Sequence, residues 1–225
     1  MILAIDSSAV TASAALCDGE RVIKSEFANT GLTHSETLLP MIQRVMGDTP
    51  YSALDAIAVT AGPGSFTGVR IGVATAKGLA FPNATPCIPV STLEAIAYNF
   101  IGENGVVCAV MDARRMQFYN ALFKVENGNV QRLTKDRAIS LEDLREELKA
   151  FDSVVIAGDG AKLCAENIAL EHCRIADDKR LYQNAERVAA AALQYEPIPA
   201  KKLMPVYLRM SQAERELKLK NRRAL

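Results

Sequence analysis

Through the first 60 residues, hydrophobic and polar positions follow an order that predicts strand, strand, strand, helix, strand. The blocks are Ile2 to Ile5, Thr11 to Cys17, Arg21 to Phe27, Thr33 to Met46 and Ala56 to Thr60. Polar turns at Asp6-Ser7-Ser8 and Asp18-Gly19-Glu20 join the early strands into a meander. The fourth strand feeds a Gly62-Pro63-Gly64 turn, which opens an apolar helix from Ser65 to Phe81. The pattern then restarts. Val107 to Met111, a polar Asp112-Ala113-Arg114-Arg115 turn, Gln117 to Val125, a turn at Glu126-Asn127-Gly128-Asn129, and Val130 to Leu133 form a second meander. A helix near Leu141 to Ala150, a strand from Ser153 to Ala157, a Gly158-Asp159-Gly160 turn opening another helix, and a helix from about Asn184 to Tyr195 complete the series.

Asp6 and Asp112, each closing an apolar strand before a polar turn, stand 106 positions apart, close to half the chain. Self-similarity at that period predicts duplication of one α/β unit. The expected organisation is an N-terminal α/β lobe over residues 1–103, a C-terminal α/β lobe over 104–200 and a charged tail over 201–225. Two related mixed lobes describe the actin, Hsp70 and sugar-kinase architecture. There the turn after the first strand of each half faces a cleft, and an Asp in it can orient a phosphate or a metal-bound water. Asp6 and Asp112 occupy those places, or else each stabilises its own Asx-turn.

Two helices carry faces that call for neighbours. In the first, Leu38, Met41, Ile42 and Val45 form one apolar stripe, and Leu39 and Met46 extend it to a second side. In the second, Gly68, Gly72, Ala76 and Ala80 recur every four residues as a small-residue ridge, with Val69 and Val73 apolar on the other side. Ordinary core packing explains either helix alone. For the pair, the expectation is a contact surface built from Leu38, Met41, Ile42, Val45, Val69, Gly72, Val73 and Ala76. Thr33 and Glu36 have the spacing of a capping box that places His34, solvent-facing, in the first turn.

The strand-to-helix junction at Gly62, Gly64 and Ser65 points backbone N–H groups and the positive end of a helix dipole at one spot, a geometry suited to an anion. It has no Lys-Ser or Lys-Thr pair, and its G-x-G-x-x-x-G spacing misses the dinucleotide fingerprint by one residue. Anion binding and the bare φ > 0 geometry of a tight turn are both open readings. Possible anion or nucleotide contacts are therefore Asp6, Gly62, Gly64, Ser65 and Asp112.

Charge narrows the classes further. Lys plus Arg equals Asp plus Glu at 26 each, so the chain as a whole has no attraction for nucleic acid or anionic membrane, although Arg209 to Leu225 holds six Lys or Arg against two Glu. That stretch reads as a solvated helix or a frayed end. No apolar run approaches the roughly 20 residues of a membrane helix, and the first residues lack a signal-peptide pattern. Five scattered cysteines without C-x-x-C spacing argue against a disulfide framework or zinc knuckle and for a cytoplasmic setting.

Met1-Ile-Leu-Ala-Ile-Asp-Ser-Ser8, His34-Ser-Glu-Thr-Leu-Leu-Pro40 and the run from Thr60-Ala-Gly-Pro-Gly-Ser-Phe-Thr-Gly68 to Ala80 together resemble the bacterial TsaB family, also called YeaZ. The resemblance is strong over the first hundred residues and weaker beyond. It implies an actin-like fold and a non-catalytic subunit that dimerises with the larger sibling TsaD. That enzyme places threonylcarbamoyl on the tRNA adenosine beside the anticodon. It also implies a TsaE-like ATPase and a TsaC-like synthase in the same pathway, and tRNA met only indirectly. No cofactor is expected for the chain itself, with nucleotide conceivable at the surface shared with the partner; a homodimer is an open alternative. The catalytic sibling carries H-x-E-G-H, two imidazoles four residues apart that hold a divalent metal. Here Thr92, Glu94 and Ile96 stand at the corresponding places, so neither imidazole is present, and no metal site and no catalytic residue are expected. The competing expectation is an ATPase or phosphotransferase of the actin-like class using Asp6, Asp112 and the Gly158-Asp159-Gly160 turn.

Overall fold

The structure, a computed structural model, describes residues 1–29 and 33–209. It begins with the meander β1 (Ile2–Asp6), β2 (Ala12–Asp18) and β3 (Arg21–Ala28), followed by helix α1 (His34–Met46), β4 (Ala56–Gly62), α2 (Phe66–Ala80), β5 (Cys87–Ser91) and α3 (Thr92–Ala97). The second half repeats the plan with β6 (Gly105–Asp112), β7 (Gln117–Glu126), β8 (Asn129–Arg132), an added β9 (Arg137–Ser140), α4 (Leu141–Leu148), β10 (Val154–Ala157), α5 (Ala161–Ile168), β11 (Cys173–Ile175) and α6 (Ala185–Ala192).

Two sheets result. The first has the order β3-β2-β1-β4-β5 and the second β8-β7-β6-β10-β11, with β9 pairing β7. In each, the three meander strands are antiparallel and the last two join the first in parallel. The central strands carry near-continuous apolar residues because both faces are covered. Leu3, Ile5, Ile57 and Val59 pack under α1 and α2, while Ala4, Ala15 and Ala58 pack on the opposite side.

The strands of the two sheets come from residues 2–91 and 105–175, but the helices do not keep to their own sheets. Helix α6 lies on the first sheet, where Ala185, Val188, Ala189 and Ala192 join Ala4, Ala15 and Ile88 in one core. Helix α3 sends Leu93, Ile96 and Ala97 into the core of the second sheet, against Val107, Cys108 and Phe118. Each half thus lends its third helix to the other, because each sheet has a second apolar face that its own first two helices leave uncovered. Residues 201–209 are not a free tail either: Leu203 is fully buried in the first core, and the chain runs on across the molecule. The rest of the expected basic tail, 210–225, lies outside the described residues.

Ser65 caps α2 by accepting from the Gly68 N–H, and Ser140 and Asn184 cap α4 and α6 the same way. At α1, Thr33 takes the cap position without a side-chain bond, so the capping box does not form.

Candidate functional site

A cleft of about 590 Å³ separates the lobes, lined by the Gly64 and Ser65 turn, Met111, Asp112, Arg114, Tyr119, Asp159 and the segment from Val206 to Arg209. Duplicate topology brings Asp6 and Asp112 to equivalent strand ends, yet their surroundings differ.

Asp6 is fully buried and does not open on the cleft. Its Oδ1 accepts from the Ser8 hydroxyl at 2.5 Å, the Thr60 hydroxyl at 2.6 Å and the Ser8 N–H at 3.2 Å, while Oδ2 is buried without a partner. Burial pushes its carboxyl above the ordinary range, against those bonds. Gln183 donates to the Ser8 hydroxyl and ties the second half to this turn. Asp6 is therefore a pin for the β1–β2 turn, and its expected role as an anion or nucleotide contact is corrected.

The glycine turn is spent on packing. A Cβ on Gly64 would sit 2.3 Å from the Ser8 carbonyl oxygen, and one on Gly62 (φ +114°) 2.5 Å from that of Val206. The Ser65 N–H donates to the Ser8 carbonyl at 2.7 Å, and the Gly68 N–H to the Ser65 hydroxyl at 3.2 Å. The Ser65 N–H is thus engaged within the chain and Gly62 is covered by Val206, while Gly64 and Ser65 stay on the cleft wall. With Asp6 sealed as well, the turn keeps little of the anion-facing geometry expected of it.

Asp112 does face the cleft. Its carboxylate accepts from the Arg114 N–H at 2.6 Å and from the Arg114 guanidinium at 3.3 Å, and its own N–H donates to Asp159 Oδ1 at 3.2 Å. Burial, with the charges of Asp112 and Asp6 adding to it, pushes the Asp159 carboxyl up to about 6. Arg114, Arg115 and Met116 all have φ between +53° and +66°, a strained left-handed run at the cleft rim.

The eight residues expected to form a partner surface do not reach the surface. Leu38, Met41, Ile42, Val45, Val69, Val73 and Ala76 are at most 4% exposed and belong to the first core, and Gly72 is buried with them. The ridge of α2 meets the chain's own β1–β2 turn: a Cβ on Gly68 would lie 2.0 Å from the Ser7 carbonyl oxygen, and one on Gly72 2.8 Å from the Ser7 hydroxyl. His34, expected to face solvent, is half-buried and donates through Nε2 to the Ala9 carbonyl at 2.6 Å. What α1 and α2 do present outward is Leu39, Pro40 and Gln43 on one helix and Thr67, Arg70, Ala74 and Gly78 on the other, with Phe81, 85% exposed, at the end of α2.

On α3, Thr92 and Ile96 are fully buried, and Thr92 Oγ1 has no partner. Glu94 Oε2 accepts from the Tyr195 hydroxyl at 2.5 Å and the Arg132 guanidinium at 2.9 Å. Arg132 also pairs with Asp136, which accepts from the Ser91 hydroxyl, so a polar clamp joins α3, the β8–β9 connection and the end of α6. Among the described residues no group of three His, Cys, Asp or Glu side chains is placed to hold a metal ion, and no helix is long and apolar enough to cross a membrane.

Two sheets of identical strand order, each half covering the other with a helix and a cleft between them, define a protein of the actin, Hsp70 and sugar-kinase class. The family model described as "TsaD: tRNA N6-adenosine threonylcarbamoyltransferase" matches residues 28–209. The tRNA threonylcarbamoyladenosine biosynthesis protein TsaB of Bacillus subtilis is 32% identical over 95% of this chain and 96% of its own length. The protein of the same name from Escherichia coli is 39% identical over 56% of this chain and 57% of its own. YeaZ from Pseudomonas aeruginosa superposes with a TM-score of 0.80 at 28% identity, covering 92% of this chain and 99% of that one. The chain belongs to the TsaB (YeaZ) family.

Proposed function

We propose that this chain is a non-catalytic partner subunit that dimerises with a TsaD-like enzyme and supports it in forming N6-threonylcarbamoyladenosine in tRNA next to the anticodon. The observation that carries this reading is the rebuilt α3. Where the resemblance implies two metal-holding imidazoles, Thr92 and Ile96 are packed into the interior, and the intervening Glu94 is committed to Arg132 and Tyr195. A helix used that way contributes to a core and has no free ligand to offer.

The docking surface is the outer side of α1 and α2, around Leu39, Ala74, Gly78 and Phe81. Gly78 is the informative position: it sits inside a helix, exposed, and a Cβ there meets nothing within 4 Å. A mid-helix glycine costs about 0.5–1 kcal/mol relative to alanine, and nothing in this chain requires one. The missing side chain leaves room for a partner's backbone. In this reading the chain works in the cytoplasm with TsaE-like and TsaC-like proteins and meets tRNA only through its partner. It needs no cofactor of its own, any nucleotide lying at the joint surface.

Co-expression with the TsaD-like subunit tests the proposal. The two chains should co-elute, and tRNA should be modified by the mixture and not by this chain alone. Modification by this chain unaided would overturn the assignment.

A further inference from the structure

Beyond α6 the chain returns to the cleft. Leu203 is anchored in the first core, with its carbonyl accepting from Lys77 Nζ at 3.2 Å. The Val206 N–H then donates to the Ala61 carbonyl at 2.7 Å, and the Val206 carbonyl fills the space left by the missing side chain of Gly62. Tyr207 stacks on Phe66 with ring centroids 4.7 Å apart, and its hydroxyl accepts from Arg70 Nε at 2.7 Å. Finally, the Arg209 guanidinium donates to the Ala113 carbonyl at 2.6 Å, on the turn that carries Asp112. One extended segment thus touches the glycine turn of the first lobe and the β6–β7 turn of the second.

The two attachment points are unlike. Leu203 is fixed by burial, whereas Met204, Val206 and Tyr207 are 63%, 48% and 43% exposed. Among the described residues, docking past Leu203 rests on one backbone bond, two side-chain bonds and the packing of Tyr207 against Phe66 and Arg70, contacts typical of a bound peptide. These contacts are local, and segments held in this way open without global unfolding.

We propose that Met204–Arg209 is a detachable strap, a peptide ligand that the chain carries for a groove at the mouth of its own cleft. The groove recognises an apolar-Tyr-x-Arg segment through the Ala61 carbonyl, the Gly62 gap, the Phe66 and Arg70 slot and the Ala113 carbonyl. Whatever enters the cleft past the glycine turn must first displace it.

A thiol placed at position 113 by Ala113→Cys reports on the groove, since Ala113 lines the cleft and is 7% exposed. Its alkylation by iodoacetamide, resolved by peptide mass mapping from the five native cysteines, is followed in the full chain. The same rate is measured in a chain ended after Arg209, in one ended after Leu203, and in full-length Tyr207→Ala/Arg209→Ala. The first two should react alike, and the last two at least tenfold faster with unchanged far-ultraviolet circular dichroism. Adding an acetylated, amidated peptide of residues 204–209 to the chain ended after Leu203 should slow labelling saturably, and the same peptide with alanine for Tyr207 should not. Equal rates in all four proteins would overturn the proposal. So would faster labelling that the peptide fails to slow, which would report general loosening.

Discussion

Helix α2 contains two glycines whose replacement by alanine should move stability in opposite directions. At Gly78 the new methyl enters open space, so the substitution only removes the conformational freedom of glycine in the unfolded chain. A gain of about 0.5–1 kcal/mol is expected. At Gly68 the same methyl would lie 2.0 Å from the Ser7 carbonyl oxygen, a backbone atom whose turn is pinned by Asp6 and by the Ser7 hydroxyl donating to the Gly68 carbonyl at 2.9 Å. The turn cannot give way without breaking those bonds, and overpacking of this kind costs about 1–3 kcal/mol. For a chain of this size each kcal/mol moves Tm by about 2–4 °C, so the variants should melt on either side of the parent, separated by about 3–16 °C. Thermal melts followed by circular dichroism decide it. Destabilisation by Gly78→Ala would mean that the fold itself needs this glycine, and the case for a partner at that spot would collapse. Gly78→Gln adds a long side chain in the same open space, and should abolish co-elution with the TsaD-like subunit while leaving the isolated chain folded.

Met41→Asp places a carboxylate in the first core, at a side chain 3% exposed. Loss of the folded state is expected rather than a soluble chain that fails to associate, and a folded, non-associating variant by circular dichroism and gel filtration would contradict the burial. Asp159 has its folded pKa raised to about 6 by burial and nearby carboxylates. The folded state then holds the proton more tightly than the unfolded one, and stability falls as pH climbs from about 4 to about 6. Asp159→Asn should be more stable than the parent at pH 7.5, the advantage shrinking towards pH 4.5 in urea titrations; an advantage that grows on acidification would refute the assignment. Tyr195→Phe removes a donor from the buried Glu94 carboxylate and should cost about 1–3 kcal/mol. An unchanged urea midpoint would show that the clamp is held by Arg132 alone.

The two meanders, β4, β10 and the duplication were readable because they rest on local signals, whereas β5, β9 and β11 and the order of strands in each sheet were not. The meanders show in the alternation and turns around Asp18-Gly19 and Asn127-Gly128, and the ends of α2 and α6 in Ser65 and Asn184. What a helix face packs against was not readable. The stripe Leu38, Met41, Ile42 and Val45 has the same spacing whether it meets its own sheet or another chain, and here α1 lies on β2 and against α2. The ridge Gly68, Gly72, Ala76 and Ala80 signals close approach correctly, but the approaching atoms belong to Ser7 and Val59 of the same chain. The outward glycine, Gly78, lies off that ridge and drew no notice. The strap was missed because the lysines and arginines of the last residues set its character as a tail, although Pro205-Val206-Tyr207-Leu208 is an apolar, aromatic block of the kind that docks.

The exchange of α3 and α6 between the halves makes this chain an intramolecular version of a swapped dimer. A gene cut between residues 103 and 104 would yield two polypeptides that each display a bare apolar sheet face while carrying the helix that belongs on the other. Neither should persist alone, and the two should rescue one another when refolded together, as halves of an ancestral pair would have done before fusion.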